Sequence, residues 1–167
     1  TKDVLYQATD FAYVGEFTRG LEGPAVDKYG NLYFVNPHKN GSIGKVDTNG
    51  NFTVFIDQLP NNSVANGIRF GKNQEMFLAD YTGHNVLIIK KDEKIASVYA
   101  NDSTINQPND LAICCDNLLF ASDPSWKTSS GNLLKIKDGE ITYLERDMGT
   151  TNGIEVSPDE TKLYVNE

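Results

Sequence analysis

The sequence predicts an all-β fold of repeated four-stranded sheets, and two signals of one period predict it. The first is a short theme that occurs four times: Leu21-Glu22-Gly23-Pro24, Ala65-Asn66-Gly67-Ile68, Pro108-Asn109-Asp110-Leu111 and Thr151-Asn152-Gly153-Ile154. Each copy sets a carboxylate or amide side chain before a small or turn-forming residue, then enters a short apolar run. The steps between copies are 44, 43 and 43 residues. The second signal is a strand that closes on a polar residue: Tyr33-Phe34-Val35-Asn36, Phe77-Leu78-Ala79-Asp80, Phe120-Ala121-Ser122-Asp123 and Tyr164-Val165-Asn166-Glu167, with the same steps. A period of about 40–45 residues made of short strands is the unit of a β-propeller blade. No stretch shows a sustained helical period with caps at its ends.

In the first repeat, Glu22-Gly23-Pro24-Ala25-Val26, Leu32-Tyr33-Phe34-Val35, Ser42-Ile43-Gly44-Lys45-Val46 and Phe52-Thr53-Val54-Phe55 read as strands. Asp27 to Asn31 and Asp47 to Gly50 read as the turns between them, with Gly30-Asn31 supplying left-handed backbone. The second repeat uses Ile68-Arg69-Phe70, Met76 to Ala79, Asn85 to Ile89 and Ile95 to Tyr99. The third uses Leu111 to Cys114, Leu118 to Ala121, Leu133 to Ile136 and Ile141 to Leu144, with Asp138-Gly139 as a hairpin signal. Ile154-Glu155-Val156 and Leu163-Tyr164-Val165 begin a fourth. Ahead of the repeats, Val4-Leu5-Tyr6 and Phe11-Ala12-Tyr13-Val14 form an apolar lead-in of strand or loop character. Residues 1–167 are expected to form one domain, about three and a half blades.

With 39% hydrophobic and 23% charged residues, the chain is apolar enough to bury a core. Its net charge of −8 argues against nucleic acid or an anionic membrane as partner. No run approaches a membrane span, and none reads as a signal peptide. The first residue is Thr1, which fits a leader already removed, so cytoplasmic and secreted or periplasmic locations both stay open. Cys114 and Cys115 are adjacent, so on a strand they would face opposite sides as free thiols.

In a propeller the first strand of each blade lines a central channel. A residue at one fixed position of every repeat is then carried to one height around that channel. Glu22, Asn66, Asn109 and Asn152 hold that position. One carboxylate and three amide oxygens are hard donors that suit Ca²⁺, Mg²⁺ or Mn²⁺. Singly, each Asn reads equally as a turn residue bonded to its local backbone. His38 and His84 fall in loops away from any nucleophile, and no Gly-x-Ser-x-Gly elbow or phosphate-cradling loop is present. Trp126 suits either a substrate mouth or a loop packed on itself.

Leu21-Glu22-Gly23-Pro24, Gln107-Pro108-Asn109-Asp110, Phe120-Ala121-Ser122-Asp123-Pro124 and Thr151-Asn152-Gly153-Ile154 with Ser157-Pro158-Asp159 resemble, in order and spacing, the motifs of the SMP-30/gluconolactonase/LRE-like group. The resemblance implies a six-bladed propeller that hydrolyses lactones or, in related diisopropylfluorophosphatases, organophosphates. It implies that Glu22, Asn109 and Asn152 ligate a divalent cation, Ca²⁺ first, with Mg²⁺, Mn²⁺ or Zn²⁺ as alternatives. It makes Asn66, Gln107 and Asp123 candidates for contact with a small lactone or ester substrate, Asp123 reading equally as a turn cap or the holder of a second ion. The family's fourth ligand, an Asp that is also its usual base or nucleophile, would fall one period past Asn152, beyond Glu167. The catalytic residue is therefore left unassigned and the activity of this chain by itself stays open, with a second half or a second copy as the ways to complete the ring. The competing readings are a non-catalytic binding propeller with a structural ion, and a strictosidine-synthase-like lyase.

Overall fold

A computed structural model describes residues 7–12 and 20–167 of the protein. The strands are β1 (Glu22–Val26), β2 (Leu32–Val35), β3 (Ile43–Val46) and β4 (Phe52–Ile56), then β5 (Ala65–Phe70), β6 (Met76–Asp80), β7 (Asn85–Ile89) and β8 (Ala96–Asn101). They continue with β9 (Leu111–Cys114), β10 (Leu118–Ser125), β11 (Ser130–Lys137) and β12 (Glu140–Met148), and end with β13 (Ile154–Val156) and β14 (Leu163–Val165). Short 3-10 turns at Pro60–Asn62 and Cys115–Asn117 are the helical elements among the described residues. The strands form three four-stranded antiparallel meanders and one two-stranded ribbon, each sheet in chain order. Innermost strands are neighbours: β1 lies against β5, β5 against β9 and β9 against β13. This is the radial arrangement of propeller blades, three whole and one begun, as the period predicts.

The blades stack because their middle strands are apolar on both faces. Every residue of β6 is buried. Successive side chains of a strand point to opposite faces, so Met76 and Leu78 enter a core shared with Val35, Ile43, Leu59 and Ile68 of blades 1 and 2. Phe77 and Ala79 enter a second core with Leu111, Leu119, Leu134 and Ile136 of blade 3. Strand β7 divides likewise, Leu87 and Ile89 to the first core and Val86 to the second. Removing one such side chain, as in Leu78→Ala, costs about 2–5 kcal/mol.

The turns follow the residues that need them. Asp27 accepts from the backbone of Tyr29 and Asn31 and from Asn31 Nδ2, and Gly30 sits at φ +85°. Asp47 repeats this pattern with Asn49, Asn51 and Gly50 at φ +83°. Asp138 and Gly139, at φ +51° and +83°, join β11 to β12 in a two-residue hairpin.

Three expectations are corrected or bounded. The third blade's outer strands run longer than their apolar cores, since Asp123-Pro124-Ser125 continues β10 and pairs with Asn132-Gly131-Ser130. Cys114 ends β9, but Cys115 lies in the following 3-10 turn; the sulfurs are 3.7 Å apart and both thiols are free. Burial pushes the Cys114 thiol up to about 11. Phe11 and Ala12 lie outside any strand, while Val4-Leu5-Tyr6 and Tyr13-Val14 lie outside the described residues.

Candidate functional site

The repeat positions the four ring residues through the backbone. Glu22 opens β1 opposite Val35. Asn66 is the second residue of β5, and Asn109 and Asn152 lie two residues ahead of β9 and β13. Asn109 N donates to Ser122 O and Asn152 N to Asn166 O, so each is hung from the second strand of its own blade.

These side chains share cavities. One, of about 330 Å³, is lined by Glu22, Asn66 and Asn109 together with Gln107, Tyr81 and Trp126. A second, of about 260 Å³, is lined by the same three with Asn152, Arg69 and Asp110. The ring therefore sits where two cavities meet. None of the four side chains has a hydrogen-bond partner among the described protein groups. Other asparagines are tied down, as Asn31, Asn51, Asn85 and Asn132 are to neighbouring aspartates. The turn-residue alternative required a bond from each ring Asn to its local backbone, and that bond is missing.

The local turn bond is made by the next residue instead. Asp110 accepts from the backbone N–H of Leu111 at 2.8 Å and from Ile154 of the next blade at 3.2 Å. Arg69 lies 3.4 Å from Asp110 and 3.5 Å from Glu155, and its Nη1 donates to Ile68 O. Asp110 is thus spent on holding blades 2, 3 and 4 together. Glu22 has no ion pair among the described residues and is the ring's available carboxylate.

The residues of the second recurring signal explain how the ring is held. Asn36 Nδ2 donates to the carbonyls of Gly20, two residues before Glu22, and of Ala65, next to Asn66. Asp80 is fully buried and accepts from Ser63, Thr82, Asn85 and the Gly83 backbone, fixing the approach to Asn66. Asp123 is fully buried and accepts from the backbone N–H of Asn106 and Gln107 and from Asn132 Nδ2. Gln107 lines the first of these two cavities, called the upper one, whereas Asp123 is not part of its lining and has its oxygens occupied. Asp123 thus positions the Gln107–Asn109 approach, in keeping with the turn-cap reading that the sequence offered beside a substrate contact. His84 Nδ1 lies 3.0 Å from Ile105 O, and His38 is exposed, so both histidines are loop residues.

Burial raises the Asp123 carboxyl above its ordinary range, while the bonds from Asn106, Asn132 and Gln107 pull the other way. A raised folded value means a contribution that is complete in acid and is lost as pH rises through that value. Asp123→Ala, which strands the Asn106 and Gln107 amides, is expected to cost about 2 kcal/mol at pH 7, and more near pH 4. Urea unfolding at the two pH values checks this; a difference that grows toward neutral pH would refute it.

The donor set fits a hard divalent cation: one carboxylate, three amide oxygens, no thiolate and no imidazole. Among the described residues no group of three or more His, Cys, Asp and Glu comes together, so a cation site here depends on the amides.

The sequence signature of the SMP-30/Gluconolactonase/LRE-like region matches residues 20–167. The chain belongs to this family. The gluconolactonase of Zymomonas mobilis is 24% identical over 189 residues, covering 98% of this chain and 53% of that protein. A gluconolactonase structure from Xanthomonas campestris superposes with a TM-score of 0.74 at 19% identity, over 88% of this chain and 54% of that one. Regucalcin from Agrobacterium tumefaciens, described as a calcium-binding protein, gives 0.72 at 20% identity, over 96% and 56%. The chain thus spans about half the length of these gluconolactonase-family proteins. At such identities the superpositions establish the propeller fold.

Sequence reasoning missed Tyr81, Arg69, Asp110 and Asn40 as lining residues. Arg69 carried a signal, a charged residue inside the apolar run Ile68-Arg69-Phe70. Asp110 carried another, standing where Gly23, Gly67 and Gly153 stand in the other copies. Tyr81 and Asn40 lie in loops, and nothing local marks them.

Proposed function

We propose that this chain supplies part of the active centre of a lactonase-type hydrolase, with Glu22, Asn109 and Asn152 as ligands of a divalent cation, Ca²⁺ first. The observation that carries the reading is the set of repeat-equivalent oxygen donors on one cavity with no protein partners. Such a cation, when bound, polarises the carbonyl of a lactone or ester and stabilises the negative charge that develops on its oxygen. Glu22 supplies the charge that retains it, and the neutral amides leave it electrophilic. Asn66 and Gln107 offer hydrogen bonds to substrate oxygens in the upper cavity, with Tyr81 and Trp126 as apolar walls. Asp123 keeps the Gln107 backbone in place and so sets the reach of that side chain.

The names of the relatives support the reaction class, and the regucalcin likeness supports calcium. The test is a melting curve of chelator-treated protein titrated with Ca²⁺ and Mg²⁺, followed by hydrolysis of a six-membered sugar lactone by the longest natural form. Saturable stabilisation by Ca²⁺ and calcium-dependent turnover are expected. Stabilisation without turnover would favour a binding propeller with a structural ion. No stabilisation would refute the cation site.

A further inference from the structure

Blades 1 and 2 enclose another cavity at the far end of their strands from Glu22 and Asn66. Its lining includes Asp27, just past the end of β1, Gln74 of the β5–β6 turn, and Lys90 to Lys94 of the β7–β8 turn. Glu22 begins β1 and Val26 ends it, so about 13 Å of strand at ~3.3 Å per residue separates the two ends. The cavity holds about 270 Å³. A dry cavity of roughly 150 Å³ suffices for benzene, which leaves room for a ring and a headgroup.

Its floor is aromatic. Tyr33 meets Phe55 and Phe70 edge to face, each pair 5.2 Å between centroids. Four lysines stand around this floor: Lys45, Lys90, Lys91 and Lys94. Lys45 Nζ lies 5.5 Å from the Tyr33 centroid and Lys94 Nζ 5.7 Å from that of Phe55, so both ammonium groups are drawn over the floor.

Four lysines face three lining acids, Asp27, Asp92 and Glu93, so the lining keeps one positive charge in excess. Asp27 is engaged by its own turn through Tyr29 and Asn31. Asp92 pairs with Lys91 at 3.2 Å. Lys45, Lys90 and Lys94 make no salt bridge among the described residues, although Lys45 is near enough to Asp47 to help hold its carboxyl low, and Glu93 is the one lining acid left over. On a chain of net charge −8, a lining with one positive charge in excess over an aromatic floor is of opposite sign to the chain as a whole. The buried Tyr33 phenol is held above its ordinary value mainly by desolvation, with Lys45 pulling it down and Asp27 pushing it up.

We propose that this cavity binds a small organic anion with a flat apolar body, an aryl phosphate or aryl carboxylate. The ring would rest on Tyr33, Phe55 and Phe70 and the headgroup among Lys45, Lys90 and Lys94. A charged headgroup gains from the ammonium groups, while the apolar body gains from the floor. An inorganic anion uses only the first of these. The site is separate from the oxygen ring and does not rest on the proposed hydrolase.

Calorimetric titration of the protein with phenyl phosphate at physiological ionic strength tests it. Saturable one-to-one binding is expected, with inorganic phosphate at least about tenfold weaker for want of the ring. Lys45→Met and Lys94→Met, which keep most of the stem over the aromatics, should each weaken phenyl phosphate about tenfold. Lys94 is exposed, so its variant tests the site even where Lys45→Met perturbs folding. Glu22→Gln should bind phenyl phosphate like the parent, which separates this result from the fate of the oxygen ring. Absence of saturable heat, unchanged affinity in Lys94→Met, or equal affinity for inorganic phosphate would overturn the proposal. The lysines would then be stems that cover apolar surface.

Discussion

Glu22→Gln is expected to abolish calcium-dependent stabilisation while leaving the calcium-free protein as stable as the parent. The two side chains are nearly equal in shape, so the change removes charge and little else. Glu22 is exposed and has no ion pair among the described residues, so the fold loses at most about 0.5 kcal/mol. A hard cation facing three amides and no carboxylate has lost the ring's single formal negative charge, and an affinity drop of at least about 100-fold follows, roughly 2.7 kcal/mol. Asn152→Ala removes a neutral donor and should weaken binding by about tenfold. Melting curves against calcium concentration for the three proteins check the order. A Glu22→Gln variant with the parent's calcium response would show that the carboxylate is not a ligand.

Much of this was legible because the fold repeats. A four-fold theme with steps of 44, 43 and 43 residues revealed both the blades and the positions that converge. The strand limits of blade 1 are marked by turn chemistry at Asp27 and Asp47, which the structure uses in the same way twice. In blade 3 the apolar run ends at Ala121, but the strand continues because Asp123 is held in it by the loop it supports. A carboxylate in a matching motif reads alike whether it faces a cavity or supports the loop beside it. Only the bonds from Asn106, Gln107 and Asn132 distinguish the two. The Arg69–Asp110–Glu155 bridge joins residues from three blades, and a pairing of that range leaves no mark on local sequence.

Gly23→Ala is expected to destabilise the protein by about 3 kcal/mol or more, and the reason bears on why the ring exists at all. Gly23 has φ +56°, a conformation that costs an L-residue about 1–2 kcal/mol. A β-carbon there would also lie 2.2 Å from the carbonyl oxygen of Asn66 in the next blade. Backbone cannot swing aside as a side chain can, so forced separation adds about 1–3 kcal/mol. Gly153 is the control, because its added carbon would meet only the Asn166 side chain, at 3.3 Å or more, with no positive φ. Gly153→Ala should change stability by less than about 1 kcal/mol. Urea unfolding of both variants measures the contrast, and equal small effects would refute it. The glycine after Glu22 is therefore a spacing device more than a turn residue. It lets β1 press against the Asn66 backbone, and that close approach carries Glu22 and Asn66 onto one cavity. Gly23→Ala should consequently weaken the calcium response as well, although Gly23 has no side chain to offer a cation.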